Sequence, residues 1–151
     1  MISLQNRTIL AVSLIGLPMV YALHHLNVTV TPSNDARVFW IEETPARVND
    51  YALFSLTHPL LGDKSERVSK KLICGPGQRL SVKGLDYFCD DRWFATAKTQ
   101  THDGFPLEPF VFNGIIPEGK AFAWGSHPDS FDSRYWGLVE LSDTQQLKVI
   151  W

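Results

Sequence analysis

The composition is that of a single folded domain without an unusual charge. The chain has 151 residues, of which 44% are hydrophobic and 20% are charged, so it can bury a core and does not resemble a disordered protein. A formal net charge of −2 gives no electrostatic reason to expect nucleic acid as a partner. The sequence has no glycine-rich phosphate loop, no zinc-spaced Cys/His cluster and no helical repeat.

The N-terminal segment is predicted to be a membrane anchor. Residues 8–23 read TILAVSLIGLPMVYAL and carry no formal charge. A spanning helix needs about 17–25 residues, and His24, His25 and Leu26 can extend this segment to that length. A cleaved signal peptide is the alternative, but no clear Ala-x-Ala site follows. We expect residues 1–26 to be a single-pass anchor in the inner membrane, with Arg7 on the cytoplasmic side and residues 27–151 in the periplasm.

Short apolar or alternating segments follow the anchor and are separated by turns. This pattern is typical of a mainly β, antiparallel fold. One helical turn is expected within residues 126–136. The predicted strands are residues 27–31, 38–41, 51–56, 68–74, 80–82, 87–88, 92–97, 110–112 and 121–124.

The two cysteines flank a predicted hairpin. Cys74 and Cys89 lie on either side of a turn signal at Lys83 and Gly84. A disulfide across this hairpin is expected in an oxidising compartment, and two free thiols are the alternative. Neither cysteine has a histidine in a recognisable catalytic motif, so we do not expect cysteine catalysis.

The polar loop at residues 125–139, which reads GSHPDSFDSRYWGLV, carries the most chemistry. Asp132 and Arg134 can form an ion pair, and Ser130 and Ser133 can donate hydrogen bonds. Taken alone, this pattern favours a structural ion-pair loop over a reactive site.

Two upstream segments and this loop occur in a characteristic order. Residues 49–54 read NDYALF, residues 70–78 read KKLICGPGQ, a Pro-Glu-Gly turn occupies residues 117–119, and residues 132–137 read DSRYWG. Over about residues 27–140 they resemble the type I signal peptidases, a family of serine/lysine proteases. The family has Gly-Asp-x-Val-x-Phe and basic-basic-apolar-apolar-Gly-x-Pro-Gly-Asp at the first two positions. Here cysteine replaces the first glycine of the second motif, and glutamine replaces its final aspartate.

The resemblance implies that Lys70 and Ser33 form a catalytic dyad. The family's general base is the first lysine of the basic pair, and its nucleophile is a serine just beyond the anchor. A lysine can accept a proton at neutral pH only if its surroundings lower its pKa, as burial does. Strand alternation puts Lys70 on the face of Leu72 and leaves Lys71 towards solvent. The alternative for Ser33 is an ordinary turn serine, which Thr-Pro-Ser-Asn-Asp would suit.

The resemblance also implies the supporting residues. The Thr31 hydroxyl and the Ser33 N–H would hold the oxyanion, and Ser130 would orient the lysine. Asp132 and Arg134 would brace the loop. Enzymes of this kind use no metal or other cofactor.

Within the family, the chain is most similar to TraF-type conjugative transfer peptidases. The similarity lies in the compact length, the aromatic segment at residues 37–41 and the sequence of residues 126–134. This similarity implies a membrane-anchored serine endopeptidase that processes an exported precursor, and we expect that precursor to be conjugative pilin in a type IV secretion system. The expected partners are the peptide substrate, the membrane and proteins of the transfer apparatus.

Two alternatives come from other functional classes. Asn34 follows Ser33, whereas the relatives carry Ser-Met-x-Pro or Ser-Pro-x-Gly, and this difference motivates a catalytically inactive assembly subunit. A periplasmic binding module is the other alternative. It would require the Lys70 side chain to lie in solvent, far from Ser33 and Ser130.

Overall fold

The computed structural model describes residues 16–30, 33–62 and 64–151, and most of their regular structure is β. Helix α1 comprises residues 16–25 and helix α2 is Ser133–Trp136, with 3₁₀ turns at Pro59–Leu61 and Leu141–Asp143. The strands are β1 (Leu26–Val28), β2 (Val38–Ile41), β3 (Tyr51–Leu56), β4 (Glu66–Cys74), β5 (Arg79–Lys83), β6 (Asp86–Cys89), β7 (Arg92–Thr96), β8 (Gly114–Ile115), β9 (Lys120–Trp124), β10 (Val139–Glu140) and β11 (Gln145–Val149).

The strands form two sheets, and every named pair is antiparallel. The larger sheet has the order β1-β2-β11-β3-β4-β9-β10, and the smaller one has the order β7-β6-β5-β8. The prediction of a mainly β, antiparallel fold is therefore confirmed.

The predicted anchor falls largely outside the described residues, which begin at residue 16. In α1, the rings of Tyr21 and His25 lie 6.2 and 5.2 Å from the ring of Trp40 on β2. In the part of the chain that the structure describes, no helix is both long and apolar enough to cross a membrane. The anchor at residues 1–26 and the periplasmic location remain predictions.

A disulfide and an aromatic cluster fix the end of β4 against the smaller sheet. Cys74 and Cys89 are bonded to each other, with their Cα atoms 5.8 Å apart. Tyr87 of β6 packs against Phe122 of β9 with 5.5 Å between ring centroids, and both side chains are fully buried. The strand that carries Lys70 is thus held at its C-terminal end by both sheets.

The other end of β4 has an edge that β9 does not cover. The N–H and C=O groups of Leu72 bond to residues 49 and 50 on the β3 side, so those of Arg67 and Ser69 point the opposite way. Strand β9 pairs with β4 only over residues 71–74. The edge at residues 67–69 therefore opens towards the loops that carry the predicted site residues.

One predicted strand is absent from the structure, and one central strand was not predicted. Residues 110–112 do not form a strand, because the Phe110 N–H donates to the Arg134 carbonyl in the 125–139 loop instead of joining a ladder. Strand β11, which was not predicted, lies inside the larger sheet between β2 and β3.

Candidate active site

Lys70 is buried beside a serine hydroxyl. Its residue is only 4% exposed, and its Nζ donates a hydrogen bond to Ser130 Oγ at 2.8 Å. Burial lowers the pKa of Lys70 to about 8, although the negative charge of Asp132 acts in the opposite direction and Arg134 adds to the lowering. A substantial fraction of this amine is therefore neutral in mildly alkaline solution, as a general base requires.

A buried ion pair builds the loop that presents Ser130. Arg134 Nε and Nη2 donate to the two carboxylate oxygens of Asp132, each at 2.8 Å. This bidentate geometry is the strong form of an arginine–carboxylate ion pair. Arg134 Nη2 also donates to the Ser130 carbonyl at 3.0 Å, and Nη1 donates to the Thr96 carbonyl at 2.9 Å. The orientation of Ser130 thus depends on a charged pair with almost no solvent contact.

Local sequence explains why the loop folds this way. Asp132 is the N-cap of α2 and accepts from the Arg134 N–H at 3.1 Å, as short acidic side chains commonly do. Its second oxygen accepts from the Gly125 N–H at 2.9 Å. Ser133 Oγ accepts from the Ala123 N–H of β9 at 2.9 Å. Gly137 ends the helix with a φ of 87°, which suits glycine.

Ser33 and Lys70 line the same groove, which has a volume of about 410 Å³. The loops of Ser33 and Ser130 approach each other over Gly125. A Cβ at residue 125 would overlap Ser130 Oγ and lie 2.6 Å from the Ser33 carbonyl oxygen. Glycine is therefore required where these two loops meet. The structure brings Ser33, Lys70 and Ser130 into one region of the fold.

Asn34 contributes a contact that the sequence did not reveal. Its Nδ2 donates to the Ser69 carbonyl at 2.9 Å and lies 3.2 Å from Ser69 Oγ. The sequence showed only that asparagine follows Ser33 where the relatives carry another residue. It did not reveal the partner, Ser69, which lies 35 residues away in the chain. This contact joins the neighbour of Ser33 to the neighbour of Lys70.

The other predicted site residues have different outcomes. Thr31 lies outside the described residues, so its role in holding the oxyanion stays a prediction. Lys71 is half-buried instead of facing solvent freely, with its Nζ 5.8 Å from the centre of the Tyr51 ring. His127 accepts from the Asp129 N–H within its own loop. Within residues 16–30, 33–62 and 64–151, no group of three or more His, Cys, Asp or Glu residues could hold a metal ion.

The position of Lys70 bears on the alternatives. The binding-module hypothesis required this side chain in solvent and far from Ser130. That requirement is not met, because Lys70 is buried and hydrogen-bonded to Ser130.

Three comparisons with known proteins were made, and the match to a family model identifies the family. The family model described as signal peptidase, peptidase S26, matches residues 2–149. Among solved structures, the chain is similar to a signal peptidase I from Enterococcus faecalis V583, with 18% identity and a TM-score of 0.42, covering 70% of this chain and 100% of that one. A search of curated proteins found no match. Because the family model spans nearly all of the sequence, the chain belongs to the signal peptidase family S26, a family of serine peptidases that process precursor proteins.

Proposed function

We propose that the chain is a membrane-anchored serine endopeptidase with Ser33 as nucleophile and Lys70 as general base. Residues 1–26 would be the anchor and residues 27–151 the periplasmic catalytic domain. The observation that carries this proposal is the buried Lys70, whose Nζ bonds Ser130 Oγ at 2.8 Å in the groove that Ser33 also lines.

The chemistry begins with a neutral lysine. The Lys70 amine removes the proton from the Ser33 hydroxyl as Oγ bonds to the substrate carbonyl carbon, and the C=O electron pair moves to oxygen. The resulting ammonium is stabilised by the negative charge of Asp132, which favours the charged form of Lys70. When the tetrahedral intermediate collapses, the peptide C–N bond breaks and the ammonium returns its proton to the leaving amine. An acyl-enzyme ester on Ser33 remains, which water or a peptide amine then resolves.

Oxyanion stabilisation would come from the nucleophile's own turn. The Ser33 N–H and the Thr31 hydroxyl are the donors that the family resemblance assigns. Donors positioned before the reaction stabilise the developing charge without reorganisation, and losing one typically costs about 10²–10³-fold in kcat.

The groove suits an extended peptide. The edge of β4 that β9 leaves uncovered presents the main-chain groups of Arg67, with which a substrate strand could pair beyond the Ser69 carbonyl that Asn34 occupies. Leu56, Val68 and Phe131 give the groove an apolar lining on which substrate side chains could pack. These features support a protein substrate that binds in extended form.

We further propose that the substrate is a pilin precursor of a conjugative type IV secretion system. The support is the similarity of residues 126–134 and of the aromatic segment after Ser33 to TraF-type peptidases. In that setting the catalytic domain faces the periplasm from the inner membrane, and the transfer apparatus supplies its other partners.

The test is processing of the cognate pilin precursor in membranes, read by mass spectrometry. We expect a shortened product with the wild-type protein and none with Ser33→Ala or Lys70→Ala, while Lys71→Ala retains activity as the matched lysine control. The product mass separates a cleaved chain from a ring, which is lighter by one water. An unprocessed precursor with a folded wild-type protein would contradict the peptidase proposal and favour the inactive assembly subunit.

A further inference from the structure

We infer that Asn34 is a positioning residue, which holds the Ser33 turn against β4 beside the general base. This inference rests on the proposed function of Ser33 and Lys70. Asn34 itself does not line the groove that Ser33 and Lys70 share. It would act through the nucleophile and would not touch the substrate.

The hydrogen bond between Asn34 and Ser69 joins the direct sequence neighbours of the proposed nucleophile and base. Asn34 directly follows Ser33, and its acceptor Ser69 directly precedes Lys70. One hydrogen bond of 2.9 Å therefore connects the backbone next to the nucleophile with the backbone next to the base. Because a displacement of about 1 Å can cost roughly 10²-fold in rate, a bond at this place can set the efficiency of proton transfer.

The geometry of β4 explains why an amide is needed. The Ser69 carbonyl points to the edge that β9 leaves uncovered, where a neighbouring strand would otherwise donate to it. The Asn34 amide takes the place of that strand's N–H. On the opposite side, Gly125 allows the Ser33 carbonyl to come close to the 125–139 loop. The Ser33 turn is thus bounded by Asn34 on one side and Gly125 on the other.

The second amide atom argues against a purely stabilising role. Asn34 is 9% exposed, and its Oδ1 is buried without a hydrogen-bond partner among the described residues. A buried acceptor left unpaired costs about 1–3 kcal/mol. An apolar residue would avoid this cost but would leave the Ser69 carbonyl without the Asn34 donor, so the asparagine is best explained by the bond that its Nδ2 makes to β4.

The first test is Asn34→Ala in the full-length, membrane-embedded protein. We expect kcat to fall about 10- to 100-fold with KM unchanged within about twofold, because the side chain lies outside the groove. Asn113→Ala is the matched control. This variant also removes a side-chain amide, but the Oδ1 of Asn113 accepts from the Val82 N–H at 2.7 Å in the smaller sheet. We therefore expect Asn113→Ala to leave kcat unchanged.

A second variant separates positioning from folding. Asn34→Leu removes the unpaired oxygen together with the donor to the Ser69 carbonyl, so the two effects on stability oppose each other and we expect an unfolding temperature close to that of the wild type, with kcat still reduced. Normal kcat in a folded Asn34→Leu protein, or a kcat loss in Asn34→Ala that merely parallels unfolding, would overturn the inference. An inactive wild-type protein would instead overturn the proposed function, so the two failures are distinguishable.

Discussion

The two loops that build the site are held in different ways. On the base side, the carboxylate of Asp132 accepts from Arg134 and Gly125, and Arg134 continues to the Ser130 and Thr96 carbonyls. On the nucleophile side, a neutral amide, that of Asn34, attaches the Ser33 turn to β4. One loop is organised by buried charges and the other by an uncharged hydrogen bond.

This difference has energetic consequences. Hydrogen bonds to charged groups contribute about 1.5–3 kcal/mol each, whereas neutral ones contribute about 0.5–1.5 kcal/mol. Loss of the buried Asp132–Arg134 pair should therefore damage the fold, whereas loss of the Asn34 contact should damage turnover in a protein that stays folded. The following four variants test this contrast, from the largest expected effect to the smallest.

Removing the carboxylate of the buried pair should have the largest effect. Asp132→Ala leaves the Arg134 guanidinium buried without its counter-charge, which typically costs about 3–5 kcal/mol. Urea unfolding measures the loss. The matched control is Glu140→Ala, which breaks the exposed pair with Lys120 and should change stability by less than about 1 kcal/mol. Equal losses in the two variants would refute the assigned role of the buried pair.

Adding one methyl group where the loops meet should separate them. In Gly125→Ala the new Cβ would collide with Ser130 Oγ and crowd the Ser33 carbonyl. We expect kcat to fall about 100-fold, since Ser33 would shift together with Ser130, the hydrogen-bond partner of Lys70. Gly114→Ala is the matched control, because residue 114 has an ordinary φ and its Cβ would meet the Phe112 ring at an ordinary 3.6 Å, so we expect it to be silent. Full activity in Gly125→Ala would show that the two loops need not meet.

Replacing the base should stabilise the protein at neutral pH. The pKa of Lys70 is lowered from 10.5 to about 8, so between these values the unfolded state binds more protons and stability rises with pH. Lys70→Met has no ammonium to bury at pH 7. We therefore expect its free energy of unfolding to exceed that of the wild type by about 1–3 kcal/mol at this pH. The advantage should shrink as the pH rises from 8 to 10.5. A destabilised Lys70→Met protein at pH 7 would contradict this reasoning.

The neighbouring lysine should matter least. In Lys71→Ala the protein loses the contact of the ammonium with the Tyr51 ring, which is worth about 0.5–1 kcal/mol at such a site. We expect activity within about twofold of the wild type in the precursor-processing assay. A loss as large as that of Lys70→Ala would remove the basis for assigning Lys70 as the sole base.

Sequence reasoning was most successful where local periodicity decides the structure. The bounds of β2 and β3 agree with the prediction, and Lys70 shares its buried face with Leu72 and Cys74 as alternation requires. Strand β11 was missed because its sequence, QQLKV, contributes only Leu147 to the core. Its place between β2 and β3 depends on pairing partners that lie about 100 residues away in the chain.

In the site, too, contacts between residues close in sequence could be predicted, and contacts between distant residues could not. The polar residues of the 125–139 loop lie close together in sequence, so the pairing of Asp132 with Arg134 could be predicted. The contact of Asn34 with Ser69 could not, because no periodicity links a turn residue to a strand carbonyl 35 residues away. The need for glycine at residue 125 also depends on two separate loops converging there.

The most direct test of the central claim is to trap the acyl-enzyme as a function of pH. Precursor turnover would be quenched with acid, and the site and amount of the ester would be measured by peptide mapping and mass spectrometry. The account predicts an acyl group on Ser33 whose rate of formation rises about tenfold per pH unit and levels off near pH 8, where Lys70 becomes neutral. An acyl group on Ser130, or a rate on Ser33 that does not change between pH 6 and 9, would contradict it.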